Sequence, residues 1–141
     1  MLLIEPTMSR SSNFYGARIL IVDDCCDTCG VFCALLNQAG YANVSFATDG
    51  RHLLGVDAGN PYSLIVLDMH MLTLGGLEIM RHLRTKQAGY SVPIIAISGD
   101  QRFRTVAIAA GACAFLLKPF HRGELEATIY SALSNLHERL T

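Results

Sequence analysis

Charge is scarce in this chain: Asp, Glu, Lys and Arg make up 16% of residues, against 51% apolar. That balance excludes an intrinsically disordered chain and describes a globular one. Neither sign is in excess, because the formal net charge is −1. Nothing in it favours nucleic acid or an anionic membrane as a direct partner. No apolar run approaches the roughly 20 residues of a membrane-spanning helix. Met1–Ile4 is too short for a signal-peptide core and has no basic residue ahead of it. The expectation is a cytoplasmic protein without membrane insertion. Internal repeats and low-complexity segments are also absent. At 141 residues one domain is expected. Such a chain buries roughly two-thirds of its unfolded surface, enough for a core without staples.

Cysteine is present but odd in number: Cys25, Cys26, Cys29, Cys33 and Cys113. In a cytosolic chain an odd count argues for reduced thiols. Cys26 and Cys29 have the C-x-x-C spacing of a zinc ligand pair, but no second pair is evident. Cys29 and Cys33 are one helical turn apart, where cysteine serves as a small hydrophobe. The second reading is favoured. A helix N-terminus could lower one of these thiols, and the neighbouring carboxylates oppose that.

Residues 1–16 hold Pro6, a Ser/Arg/Asn stretch and Gly16, and are expected to be an irregular extension. From residue 17 to 141 strands and helices alternate. The expected strands are Arg18–Val22, Val44–Ala47, Leu64–Leu67, Ile94–Ile97 and Ala114–Leu117. Helix one runs from Asp27 or Thr28, either able to act as N-cap, to Ala39, with Gly40 at C′. A short second helix covers Gly50–Val56, with Asn60-Pro61 in the loop that follows. Helix three spans Leu77–Lys86. Helix four spans Gln101–Ala110 and stops at Gly111. Helix five starts near Arg122 or Gly123 and reaches about Arg139.

Leu125, Ile129, Leu133, Leu136 and Leu140 form one apolar stripe on helix five. Helix four is apolar after its first turn, so any part not facing a sheet is an exposed patch. Strands one, three and four are unbroken apolar runs, which means burial on both faces, as in a parallel sheet covered by helices. The expected fold is a doubly wound α/β sandwich, whose ligands bind at the carboxyl ends of the strands.

Those ends are where the polar residues fall. Asp23 and Asp24 close strand one, Asp68 closes strand three, Ser98 closes strand four, and Lys118 follows strand five. Three carboxylates close together repel unless a cation intervenes. Mg²⁺ suits them, because it is hard and takes carboxylates together with water and phosphate oxygens. A carboxylate beside such a cation can attack a phosphoryl group and form an aspartyl-phosphate. A hydroxyl and an ammonium can then stabilise the transferring oxygens. Any one of these aspartates alone would most often be a helix cap or a strand end. The combination at four strand ends makes that a poor account.

The motifs are Ile-Val-Asp23-Asp24, Val-Leu-Asp68-Met-His-Met71, Ile97-Ser98-Gly99 and Phe115-Leu-Leu-Lys118-Pro119-Phe120. Through them, Arg18 to about Leu136 resembles a response-regulator receiver domain of bacterial two-component signalling, of the CheY-like kind. The resemblance implies a flavodoxin-like five-stranded parallel sheet in the order 2-1-3-4-5 with five helices, for which CheY is itself a known example. It implies Asp68 as phosphoacceptor, with Ser98 and Lys118 contacting the phosphoryl group. It implies Mg²⁺ or Mn²⁺ held by Asp24, by Asp23, by Asp68 and by the backbone carbonyl of His70. Ser98 and Phe115 would be the switch, reshaping the face of helix four, strand five and helix five. Implied partners are a sensor histidine kinase or a histidine phosphotransfer protein, and a downstream protein docking on that face.

The loop after the acceptor departs from the pattern. Leu72 stands where the family often has Pro, and Leu72-Thr-Leu-Gly-Gly76 lacks an acidic residue before its last glycine. That composition suggests a looser loop. Gly99 replaces the more usual alanine, and the side chains of His70 and Asp100 sit at positions that tune phosphate hydrolysis in the family. His52, His82, His121 and His137 are expected to be exposed. Helix five ends close to the C-terminus, so the leading expectation is a stand-alone switch. It would be no enzyme beyond its own phosphorylation and dephosphorylation. Alternatives are a receiver fragment of a hybrid histidine kinase or larger regulator, and a pseudo-receiver that takes no phosphate. A phosphatase with an aspartate nucleophile would usually carry a second Asp where this chain has His70.

Overall fold

The computed structural model describes residues 14–55, 62–71, 75–86 and 92–140. The elements are β1 Arg18–Val22, α1 Cys26–Gln38, β2 Asn43–Ala47, a 3₁₀ helix Gly50–Gly55, β3 Leu64–Asp68 and α2 Gly76–Lys86. They continue with β4 Ile94–Ser98, α3 Phe103–Ala109, β5 Ala114–Leu117 and α4 Arg122–Leu140. The expected short second helix is thus the 3₁₀ helix, and expected helices four and five are α3 and α4. Residues 1–13, Val56, Asn60-Pro61 and 72–74 lie outside the described residues.

The strands form one parallel sheet in the order β2-β1-β3-β4-β5, as expected. Successive side chains of a strand point to opposite faces. Here both faces are apolar, which explains the unbroken runs. Leu20, Val22, Ile65, Leu67, Ile94 and Ala96 pack with α2, the 3₁₀ helix and α3. Ile19, Ile21, Leu64, Val66, Ile95 and Ile97 pack with α1 and α4. Leu125, Ile129 and Leu133 of the α4 stripe are buried there, and Leu136 is half-buried.

Two glycines end helices as expected. Gly40 and Gly111 both have φ +110°, a backbone that side chains resist. Over Gly40 lies the Tyr15 ring, 2.7 Å from where a Cβ would sit.

The last helix starts at Arg122 as expected, but the starts of α1 and α3 differ from the expected ones. The N-cap of α1 is Cys25, two positions ahead of Asp27 and three ahead of Thr28. Its amide is taken by Asp23 Oδ1 at 2.9 Å, so the strand-end aspartate starts the helix. The α3 helix starts at Phe103 because Asp100 forms a turn first: its carbonyl takes the Phe103 N–H and its Oδ1 the Arg102 N–H. Ala107 of α3 is buried, whereas Val106 and Ile108 are 42% and 47% exposed, on opposite flanks of the helix.

Candidate functional site

Each strand delivers its polar residue at its last position or just beyond. Asp23 follows β1, and its N–H is tied to the Ala47 carbonyl of β2. Asp24 comes next and is exposed. Asp68 is the last residue of β3 and Ser98 the last of β4. Lys118 follows β5, with its N–H on the Ser98 carbonyl at 2.8 Å. The sheet therefore brings all five into one crevice.

Three of them are almost wholly buried: Asp23 and Ser98 at 1% exposure and Asp68 at 5%. One oxygen from each of Asp23, Asp24 and Asp68 lies within 4.8 Å of the others. Lys118 Nζ is 3.4 Å from Asp23 Oδ2 and 3.9 Å from Asp68 Oδ2. One ammonium against three carboxylates leaves negative charge in excess. Burial pushes the Asp68 carboxyl above the usual carboxylate range, and the charges of Asp23 and Asp24 add to the push. The His70 N–H, donated to Asp68 Oδ1 at 3.0 Å, and Lys118 oppose it without cancelling it. A hard, all-oxygen, over-negative cluster fits a divalent cation such as Mg²⁺.

Ser98 Oγ accepts the Asp100 N–H at 3.0 Å, which leaves its own hydrogen available to donate. Hydrogen bonds from Arg102 hold the Asp100 carboxyl down to about 2. Phe115 lies in β5, 7% exposed, and packs into the core beneath α3. The Arg104 guanidinium covers its ring at 5.0 Å.

Some contacts were not foreseeable. Gly76 touches the end of β3: a Cβ there would sit 2.8 Å from Met69 Cα and 2.9 Å from the Asp68 carbonyl oxygen. At this position glycine serves close approach, not looseness. The His70 ring sits edge-on against Phe103 with centroids 4.8 Å apart. His82 was expected to be exposed, yet it is half-buried, and its Nε2 has no hydrogen-bond partner. It lies on α2 three residues after buried Ile79, on the flank of the apolar stripe.

Among the described residues no cysteine belongs to a group of three or more side chains with metal-ligand spacing; the acidic trio is the group that has it. Cys29 is buried, donates to the Asp23 carbonyl at 3.3 Å, and is pushed up to about 11 by burial. Cys25 forms no side-chain capping bond, but the nearby Thr28 hydroxyl and amide draw its exposed thiol below its usual value.

A sheet in this order, with acidic residues, a hydroxyl and a lysine at its carboxyl ends, defines a flavodoxin-like fold of the CheY kind. The model of the response regulator receiver domain matches residues 19–130, and the chain belongs to that family. It is 32% identical over 120 residues to the cell cycle transcriptional regulator CtrA of Caulobacter vibrioides, covering 82% of this chain and 50% of that protein. It is 29% identical over 119 residues to the transcriptional regulatory protein ZraR of Escherichia coli, covering 84% of this chain and 27% of that protein. The chain thus spans half or less of these relatives' length. A solved receiver domain of a Pseudomonas aeruginosa sensor histidine kinase, with magnesium in its active-site cleft, is similar at 30% identity and TM-score 0.74, covering 84% of this chain and 98% of that one. The chemotaxis protein CheY4 of Vibrio cholerae is similar at 28% identity and TM-score 0.73, covering 84% and 99%. Among the described residues no helix is long and apolar enough to cross a membrane.

Proposed function

We propose that this chain is a phosphoryl-accepting switch with Asp68 as the acceptor. The observation that carries this reading is the Asp23–Asp24–Asp68 cluster, with Asp23 and Asp68 buried, Asp24 exposed and Lys118 over it. The donor is a phosphohistidine, on a sensor kinase or a phosphotransfer protein. An Asp68 carboxylate oxygen attacks phosphorus, the P–N bond breaks, and its electron pair returns to the imidazole. Water later attacks the same phosphorus and releases inorganic phosphate. The chain modifies only itself.

Asp23, Asp24, Asp68 and the His70 carbonyl hold Mg²⁺, which supplies positive charge to the phosphoryl oxygens. Lys118 supplies a second, fixed charge, and Ser98 donates its hydroxyl. Beside Lys118 opens an apolar groove of about 560 Å³, lined by Thr28, Val31, Phe32, Leu35, Pro119 and Phe120. Its continuity with the acceptor crevice suits it to seat the phosphohistidine carrier. Movement of Ser98 toward the phosphoryl group biases Phe115, and with it the face of α3, β5 and α4 where the downstream protein docks.

A titration with beryllofluoride and Mg²⁺, followed by NMR, tests this reading. The amides of Ser98, Lys118 and Phe115 are expected to shift at saturation, together with those of α3. A wild-type spectrum that does not change would overturn the switch.

A further inference from the structure

Two loops frame the acceptor. One follows β3 and carries His70, whose N–H holds Asp68 Oδ1 at 3.0 Å. The other follows β4 and carries Ser98 and Asp100, joined at 3.0 Å. A side-chain contact joins the loops: the His70 ring meets Phe103, the first residue of α3, at 4.8 Å and 72°. Phe103 is itself anchored. Its N–H bonds the Asp100 carbonyl, and its ring packs on the core cluster that contains Ala107 and Phe115. His70 is exposed, so without this contact its ring would be free to turn in solvent. An open pocket of about 330 Å³, lined by His70, Asp100, Arg102, Phe103 and Val106, lies at the junction.

We propose that Phe103 is a positioning residue for the acceptor: its ring fixes His70, and the His70 backbone fixes the Asp68 carboxylate and the metal. The chain of contacts runs ring to ring, then amide to carboxylate. An edge-to-face pair is the arrangement that the aromatic quadrupoles favour. The geometry also ties the Ser98 loop to the acceptor loop through one aromatic pair, so the two move together. The metal part of this inference rests on the function proposed above; the amide part does not.

A bland account is available, since Phe103 and Ala107 stand one turn apart on the core-facing side of α3. Two kinds of measurement separate the accounts. The first is amide hydrogen exchange in the metal-free protein. Phe103→Leu keeps the apolar volume and removes the aromatic ring. It is expected to speed exchange at the His70 amide about fivefold, while the Cys25 amide, which bonds Asp23 Oδ1, keeps its rate. The second is Mg²⁺ affinity by calorimetry. Phe103→Leu is expected to weaken binding about threefold, and Phe103→Tyr to retain it. In a His70→Ala background, Phe103→Leu should weaken binding no further. Equal exchange at His70 in variant and wild type would overturn the proposal. So would equal acceleration at Cys25, or the same loss of affinity with and without the His70 side chain. A wild type that binds no Mg²⁺ in the crevice overturns the proposed function instead, and the exchange result then judges Phe103 alone.

Discussion

At the carboxyl ends of the strands, Asp23 and Asp68 sit almost fully buried against one another with a single lysine between them. At the amino ends, Tyr15 stacks edge-on against Tyr41 at 5.3 Å, and Phe14 packs on Tyr130 and His137 of α4. The backbone is pinned there too, because the Ala42 N–H bonds the Tyr15 carbonyl. Burial pushes the Tyr41 hydroxyl up to about 12. Both ends close the same sheet with opposite materials. The aromatic end gains from burial. The acidic end is held by the sheet in an arrangement that water would favour dispersing. Such a site is a place where a ligand can gain what the fold has given up.

The largest expected effect is at the acidic end. Asp24→Asn should weaken Mg²⁺ binding by more than the roughly tenfold that loss of a supporting partner already costs, as calorimetry would read. Its thermal stability should change little, because Asp24 is exposed. At the aromatic end the balance reverses. Gly40→Ala must adopt φ +110° under the Tyr15 ring. It should cost about 1–3 kcal/mol in denaturant unfolding while Mg²⁺ affinity holds. If both variants changed both properties, the two ends would not be separable.

Asp68 gives a smaller, pH-dependent effect. Its folded carboxyl lies above the unfolded one, so ionising it opposes folding. Below the ordinary carboxylate range, wild type and Asp68→Asn should melt alike. As pH rises through the folded value, the wild type should lose stability relative to the variant in metal-free buffer. Added Mg²⁺ should narrow the gap by stabilising only the wild type. A gap of the opposite sign in thermal scans would mean that Lys118 outweighs burial. The smallest effect is expected at Arg104, which covers Phe115 from solvent. Arg104→Ala should cost about 0.5–1 kcal/mol and leave Mg²⁺ binding unchanged.

The strands and the polar residues at their ends were legible because each rests on local pattern, whereas the strand order was implied only by the family resemblance. Unbroken apolar runs mark two-sided burial, and polar residues at strand ends mark the crevice. Gly40 and Gly111 were legible as helix stops for the same reason. Contacts made across the fold were not. Cys25 is an N-cap only because Asp23 reaches forward to its amide. Gly76 is tight only because α2 starts against the Asp68 carbonyl. Phe103 has no sequence signature at all; its partner His70 is 33 positions away in the numbering and meets it through the junction of two loops.

The central claim is that the acidic end stores a phosphoryl group on Asp68. Incubation of the protein with Mg²⁺ and acetyl phosphate, followed by intact mass, tests it most directly. One added phosphoryl group is expected on the wild type and none on Asp68→Asn. An unmodified wild type, or an adduct that survives in Asp68→Asn, would contradict it.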